Sequence, residues 1–523
     1  MYAAPSYTSV LSRASTMHSS LLWVGGLLLF LSIVAIRRRY TPYLRDVPAI
    51  SVLATISRWE YVRQILTARM ERNLLEAHRR LVRIAHNEIS IADPAAIPII
   101  YDTEQKWVKT DWYYMFGFPD PKNVNTFSVM NPVEHKRMKR NVAPTYSMSA
   151  LLELEPSVDS TLTMFLQRLD EAAVSPTTPV SERGPPTDLA QWLTWLAADV
   201  IGELSFSRRL GFLDTMSDVG DTAKTVDSFI AYASAVAIVP AMHKFLFGNP
   251  IIPYLIKVPS LIIADVTNEE VQKRRDAAHE ARADIMGRIM ESQKIAGPER
   301  FPPSELLNMA AVNVTAGSDT TAIGMHSLIY YLLKHPLAME KLQTEITEAD
   351  RLGNLSKIPR YRETNHKAMP YLAACIKETF RIHPAVTISL PRHVPAGGAY
   401  ICGQFFPAGT RVGVSPYVVG RDPKLFGEDA DKFRPERWIE CSYEQLIAME
   451  NGCLHFGHGS RVCLGRHIAM LEITKVIVAV FRDFHLELAA PDEEWQISTY
   501  NVPKPKSINI WIHRRERKNF QTA

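Results

Sequence analysis

The hydrophobic pattern opens with an uncharged run over residues 21–36 that stops at Arg37-Arg38-Arg39. This run is slightly shorter than the ~20 residues that cross a bilayer, and extension back to Met17 supplies most of the difference. The arginines follow the run, and no small-x-small cleavage site stands behind it. Both points favour an anchor over a cleaved signal peptide or a buried core helix. A basic flank on that side places the bulk of the chain in the cytosol. Residues 1–20 are small and polar and read as lacking fixed structure.

Past a proline hinge (Pro42, Pro48), an amphipathic helical pattern covers residues 59–83, and Glu88-Ile89-Ser90-Ile91 reads as a strand. An aromatic, turn-rich stretch fills 110–130, and a basic helix follows Pro132. Helical patterns then continue, separated by loops at 175–187 and 248–259. A long helix is predicted from Ser304, its N-cap, to His335. Another begins near Tyr371 and is halted by Pro384. The apolar, partly β-branched residues 386–390 and the turn at 405–410 read as parts of a small sheet. A last amphipathic helix begins at Arg466.

Composition adds little to this picture. A hydrophobic share of 46% with 22% charged residues is that of a globular protein. The net charge of +4 is too weak to argue for nucleic acid, and no zinc-finger spacing or arginine-rich run is present. The five cysteines are odd in number, widely spaced and confined to the C-terminal third. They do not make a disulfide framework, and they fit a reducing compartment.

Candidate chemistry lies in two stretches. Phe456-Gly457-His458-Gly459-Ser460-Arg461-Val462-Cys463-Leu464-Gly465 sets a single cysteine in a glycine-rich loop ahead of a helix. Glycines allow a tight backbone and close approach to a flat ligand. The free N–H groups and positive dipole end of a helix favour thiolate over thiol. A lone cysteine is ordinarily structural filler, so its neighbours give it weight. Ala316-Gly317-Ser318-Asp319-Thr320-Thr321 puts a glycine and two threonines inside a predicted helix, a local cost that points to function. Glu378 and Arg381 share a helix face, and Arg437 stands in Phe433-Arg434-Pro435-Glu436-Arg437-Trp438.

The cysteine stretch resembles the haem-binding loop of the cytochrome P-450 monooxygenases, F-x-x-G-x-R-x-C-x-G, at every fixed position. Residues 316–321 resemble that family's [AG]-G-x-[DE]-T-[ST] signature, and the other two motifs follow in the family's order. The resemblance covers residues 42–515. It implies a mainly α fold with a small β-rich subdomain, the cytochrome P-450 fold behind an N-terminal transmembrane helix. Residues 1–20 would be a disordered leader, 21–40 the anchor and basic stop, and 41–523 the catalytic domain. The family usually carries a longer glycine/proline turn before the strand at 88, so the small sheet is expected to be altered or shortened there.

The resemblance assigns Cys463 as axial ligand of a haem (iron protoporphyrin IX). It assigns Asp319 as proton source and Thr320 as the hydroxyl beside bound oxygen. Phe456, Arg461, Arg392, His135 and Lys139 would bind the haem, with Arg140 as rival to Lys139. Glu378, Arg381 and Arg437 would form a buried structural cluster. Phe116, Phe127, Ala316, Val386, Ile388 and Asn501 would line the substrate pocket. The chain has no glycine-rich dinucleotide fingerprint of its own. Electrons are therefore expected from NADPH through a separate NADPH–cytochrome P-450 reductase; Lys136, Arg137 and Arg466 would either dock it or form a plain solvated face. The implied reaction inserts one atom of O2 into a small apolar organic substrate, at the endoplasmic reticulum membrane, single-pass, with the catalytic domain cytosolic. Redox-neutral rearrangement or dehydration by a haem-thiolate enzyme, and a haem-binding sensor without turnover, are the alternatives. Leu390-Pro391-Arg392-His393-Val394-Pro395 and the turn at 405–410 resemble fungal members that tailor secondary metabolites, of the pisatin-demethylase-like kind.

Overall fold

A computed structural model describes residues 7–78, 80–104, 106–117, 124–247, 262–276 and 283–516. Its first helix, α1 (Tyr7–Arg39), takes in most of the segment expected to lack structure. It ends on Arg37, Arg38 and Arg39, cations suited to the negative end of the helix dipole. Among the described residues no helix is long and apolar enough to cross a membrane, so the predicted span is not found there. The described apolar side chains begin at Leu22 and give way to arginine after Ile36. At 1.5 Å per residue that stretch covers about 22 Å, short of a bilayer core of about 30 Å.

The helical pattern read over residues 59–83 divides into helices Trp59–Leu66 and Met70–Ala77 and a strand, β1 (Leu81–Ala85). Arg83 misleads the pattern because it points inward. Its buried guanidinium donates to the carbonyls of Arg38 at 2.6 Å, His86 at 2.5 Å and Thr55 at 3.2 Å, which satisfies a charge that would otherwise be costly inside. A short turn leads to β2 (Glu88–Ile91), antiparallel to β1.

The basic helix α2 (Pro132–Val142) is capped by Asn131, whose side chain accepts from the N–H groups of Val133 and Glu134. After β3 (Thr187–Asp188) come α3 (Leu189–Phe206), α4 (Thr222–Val236), α5 (Pro303–Lys334) and α6 (Pro370–Ile382). The C-terminal third adds β4 (Arg392–His393), the hairpin β5 (Ala399–Ile401) and β6 (Gln404–Phe406), and β7 (Arg411–Val414). It ends with α7 (Arg466–Asp483), β8 (Phe484–Leu488), the hairpin β9 (Ile497–Thr499) and β10 (Pro503–Pro505), and β11 (Asn509–Arg514).

The order β1-β2-β7-β4 makes a four-stranded sheet, with β2 and β7 parallel. Where alteration or shortening is expected, β1 and β2 pair with a register shift between Arg83 and Ala85. Residues 386–390 are irregular, with a bend at Ile388, rather than a strand. β3, β11 and β8 make a second, antiparallel sheet. The loop expected at 248–259 and residues 118–123 of the aromatic stretch lie outside the described residues.

The main core gathers around α5, which packs on α3, α6 and α7. Its N-cap is Pro302, and Ser304 sits inside the first turn. Gly317 serves packing. A Cβ there would meet Ile201 Cγ1 of α3 at 3.0 Å, while the helix itself runs unbroken from Pro303 to Lys334.

Candidate functional site

The cysteine loop is held by its backbone. Residues Gly459–Arg461 make one 3-10 turn, and α7 begins at Arg466, three residues beyond Cys463. Gly459 has φ +64°, and a Cβ there would strike the carbonyls of Tyr101 and Asp102, so only glycine seats the loop against that segment. The Cys463 N–H donates to the Phe456 carbonyl at 2.8 Å. Burial raises the pKa of the Cys463 thiol, and the N–H groups of Gly465 and Arg466, aimed at the sulfur, work against that rise. The sulfur is thus deep in the fold, yet the residue is exposed, because it opens onto interior space.

Neighbouring elements fix this loop. The Phe380 ring stacks on His455 at 3.6 Å and meets Phe456 edge-on at 5.4 Å. Lys139 donates to the Ser460 carbonyl at 2.7 Å, which places it on the loop backbone, while Arg140 is exposed. Arg461 donates to the carbonyls of Val129 at 2.8 Å and Met130 at 3.3 Å. Glu378 is buried and accepts a two-pronged contact from Arg381 at 2.7 and 2.8 Å. It also accepts from the Trp438 indole at 2.9 Å, the Arg434 N–H at 2.8 Å and Arg437 at 3.4 Å. The stronger partner of Arg437 is Asp429, at 2.7 Å.

A cluster of buried cations stands beside the loop. Lys109 and Arg392 pair through their backbones. The Arg392 guanidinium donates to the Tyr113 hydroxyl at 2.5 Å and lies 5.2 Å from the rings of both Tyr101 and Tyr113. Lys109 donates to the Phe127 carbonyl at 2.5 Å and lies 4.2 Å from the Tyr113 ring. Among the described residues no carboxylate forms an ion pair with Lys109, Arg392, Arg461 or His135. Burial, reinforced by their mutual repulsion, holds Lys109 well below its ordinary value, Arg461 at about 10 and His135 at about 3. Among the described residues the buried Nδ1 of His135 has no hydrogen-bond partner. Such a group calls for an anion. The sequence pattern places Tyr113 only within the aromatic stretch and gives Lys109 no role; the signal for Lys109 is a lysine beside that stretch.

On α5, Ala316 is exposed although Val314, Ser318 and Asp319 are buried, so the helix opens to interior space at that turn. The Thr320 hydroxyl donates back to the Ala316 carbonyl at 2.7 Å. Asp319 Oδ2 lies 2.7 Å from Lys504 Nζ; burial raises the pKa of this carboxyl and Lys504 offsets part of the rise. Tyr146 spans the two sides. Its hydroxyl donates to Asn313 on α5 at 2.6 Å, and Cys463 is close enough to add to the rise that burial causes in the tyrosine's pKa.

The expected pocket residues divide. Phe116 and Phe127 meet edge-on at 5.7 Å, Phe127 is partly open, and Val386 is half-buried. Ile388 is packed in a hydrophobic cluster and does not open to the interior space, because its segment lacks the alternation of a strand. Asn501, at φ +97°, is buried and donates to Ser234 of α4 at 2.6 Å. Its backbone carbonyl accepts from the Thr387 N–H at 3.0 Å.

Residues 80–510 match the family described as Cytochrome P450. The chain is 37% identical to a cytochrome P450 monooxygenase of Aspergillus terreus, over 78% of this chain and 83% of that protein. It is 36% identical to the cytochrome P450 monooxygenase cicH of Emericella nidulans, over 90% and 93%. A third relative, cytochrome P450 monooxygenase gsfF of Penicillium aethiopicum, is 33% identical over 85% and 88%.

Proposed function

The chain belongs to the cytochrome P450 family as one of its monooxygenases, and from that premise we propose that it inserts one oxygen atom of O2 into an apolar secondary metabolite of a fungus. Its electrons come from NADPH through a separate reductase. One observation carries the reading: a deep sulfur, open to interior space and faced by two N–H donors, lies beside buried cations that, among the described residues, lack a carboxylate. These residues fit a haem. Cys463 would hold the iron, and Arg392, Arg461, Lys109 and His135 the acidic edge of the macrocycle. When bound, the haem supplies the activation of dioxygen and the transfer of its oxygen atom.

The chain's own residues position, exclude water and move protons. Gly465 and Arg466 N–H groups stabilise the sulfur as thiolate. Lys139, Arg461 and the Glu378 cluster keep the loop in place. Asp319, whose carboxyl burial holds above its ordinary pKa while Lys504 offsets part of the rise, is the proton carrier beside the opening. The Thr320 hydroxyl donates to the Ala316 carbonyl, and rotation off that carbonyl would give it a proton to offer a ligand in the opening. Phe116, Phe127 and Val386 give the opening an apolar wall.

The exposed cations Lys136, Arg140 and Arg466 support a docking face for an acidic reductase. Arg137 is spent inside, on Glu134 and Glu305. Attachment to the endoplasmic reticulum with a cytosolic catalytic domain rests on the exposed Leu22–Leu31 side chains and the arginines after them. Flotation of cell membranes tests it, and protein left wholly in the soluble fraction refutes the attachment.

The central test is spectroscopic. Purified protein is expected to show the long-wavelength absorption of a thiolate-ligated haem when reduced under carbon monoxide, and Cys463→Ser to lose it. Retention in that variant refutes the ligand. With reductase present, candidate metabolites that shift the spectrum are expected to be oxidised.

A further inference from the structure

The buried Asp319 carboxylate is not isolated. Lys504 on β10 reaches it at 2.7 Å and also pairs with Asp227 on α4. Exposure rises along this line, from 3% for the Asp319 side chain through 22% for Lys504 to 53% for Asp227. Prolines on both sides stiffen the lysine's backbone, and β10 is paired with β9. The turn between these strands is tied to α4, where Asn501 donates to Ser234 at 2.6 Å and Ser234 donates to the Tyr500 carbonyl. The ammonium is therefore placed between two carboxylates from different helices. His326 of α5 also faces it, and His383, past the end of α6, faces His326. Asp319 Oδ2 meets the ammonium as a direct ion pair at 2.7 Å.

We propose that Lys504 is a positioning residue for proton delivery, linking the buried carboxylate of Asp319 to the half-exposed carboxylate of Asp227 and hence to solvent. This rests on the monooxygenase reading. With the ammonium on Asp319, the carboxylate stays ionised. When the ammonium is drawn toward Asp227, Asp319 loses its counter-charge and takes a proton from a hydronium ion arriving on the Asp227 side. One O–H bond forms on Asp319, one breaks on the hydronium, a water molecule leaves, and no electrons move. Return of the ammonium favours release of that proton toward the Thr320 side. Lys504 touches no reacting atom and acts only through Asp319.

The test uses the full-length haem-loaded protein and the variants Lys504→Met, Lys504→Arg, Asp227→Asn and Asp319→Asn. Infrared difference spectra of the resting protein report the charge of Asp319 without turnover. A protonated-carboxyl band is expected at neutral pH in Lys504→Met. It should be absent from the wild type and Lys504→Arg, and should vanish when Asp319→Asn is added. With reductase and an oxidised substrate, Lys504→Met should form product about 10- to 100-fold more slowly, with NADPH diverted to peroxide. Lys504→Arg should restore most of that loss. Absence of the band, or wild-type coupling in Lys504→Met, overturns the proposal. Should Lys504→Met fail to fold, Asp227→Asn decides at a surface position: a larger solvent deuterium effect on turnover supports the link, and an unchanged one overturns it. If the wild type forms no product from any substrate, the monooxygenase reading fails, while the infrared result still decides the link between Lys504 and Asp319.

Discussion

The Lys139 ammonium lies 2.7 Å from the Ser460 carbonyl, so α2 grips the cysteine loop by its main chain. His135, one turn earlier, keeps a bare Nδ1 among the cations. The two residues share a helix face and do different work. Lys139→Met removes a charge-assisted hydrogen bond at a half-buried place, worth about 1.5–3 kcal/mol. A lower urea midpoint and faster haem loss on gel filtration are expected, with Lys139→Arg largely spared. Equal haem retention in the methionine variant would show that the contact does not hold the loop.

Glu378 answers two guanidinium groups, an indole and a backbone N–H. Glu378→Gln leaves Arg381 buried without its counter-charge, at a cost of about 3–5 kcal/mol. The expected result is a steep fall in soluble, haem-loaded protein, measured as haem per polypeptide after expression. A variant that loads haem normally would mean that the carbonyls of Gly420, Ala430 and Lys432 suffice to hold Arg381.

Thr320→Ala deletes the hydroxyl that now rests on the Ala316 carbonyl. Binding spectra should be unchanged, while NADPH oxidation runs ahead of product and peroxide accumulates. Simultaneous assays of NADPH, peroxide and product check this. Full coupling in the variant removes Thr320 from proton handling.

Glu472 is buried on α7 with Oε1 unpartnered, and burial pushes its pKa up to about 8 from an ordinary 4.5. Between those values the folded protein keeps a proton that the unfolded chain has released, so this group makes stability fall as pH rises through that window. Glu472→Gln should match the wild type below about pH 4.5 and be more stable above about pH 8. Urea midpoints across that range provide the measurement, and parallel curves would refute the assignment.

The sequence made legible whatever is carried by residues close together in the chain. The cysteine loop, the Gly317–Thr320 turn and the Glu378–Arg381 pair needed only local spacing. Contacts that close across the fold were hidden. Lys109 meets Arg392 and Arg461, and Lys504 meets Asp319, over separations that no spacing rule reaches. Arg83 disguised β1, because a strand holding an inward arginine does not alternate as a half-buried strand should. Gly317 was read for its helix cost, whereas its cause is Ile201 on another helix.

The parallel pairing of β2 with β7 joins Glu88 to Arg411 and Ile91 to Val414. Translation delivers the first of these partners long before the second. Throughout that interval the hairpin carries one unsatisfied edge, a template for stray pairing between nascent chains. The N-terminal hairpin is thus shielded only by the carboxyl third of the same chain, and a chain cut short before Arg411 keeps that edge of β2 open.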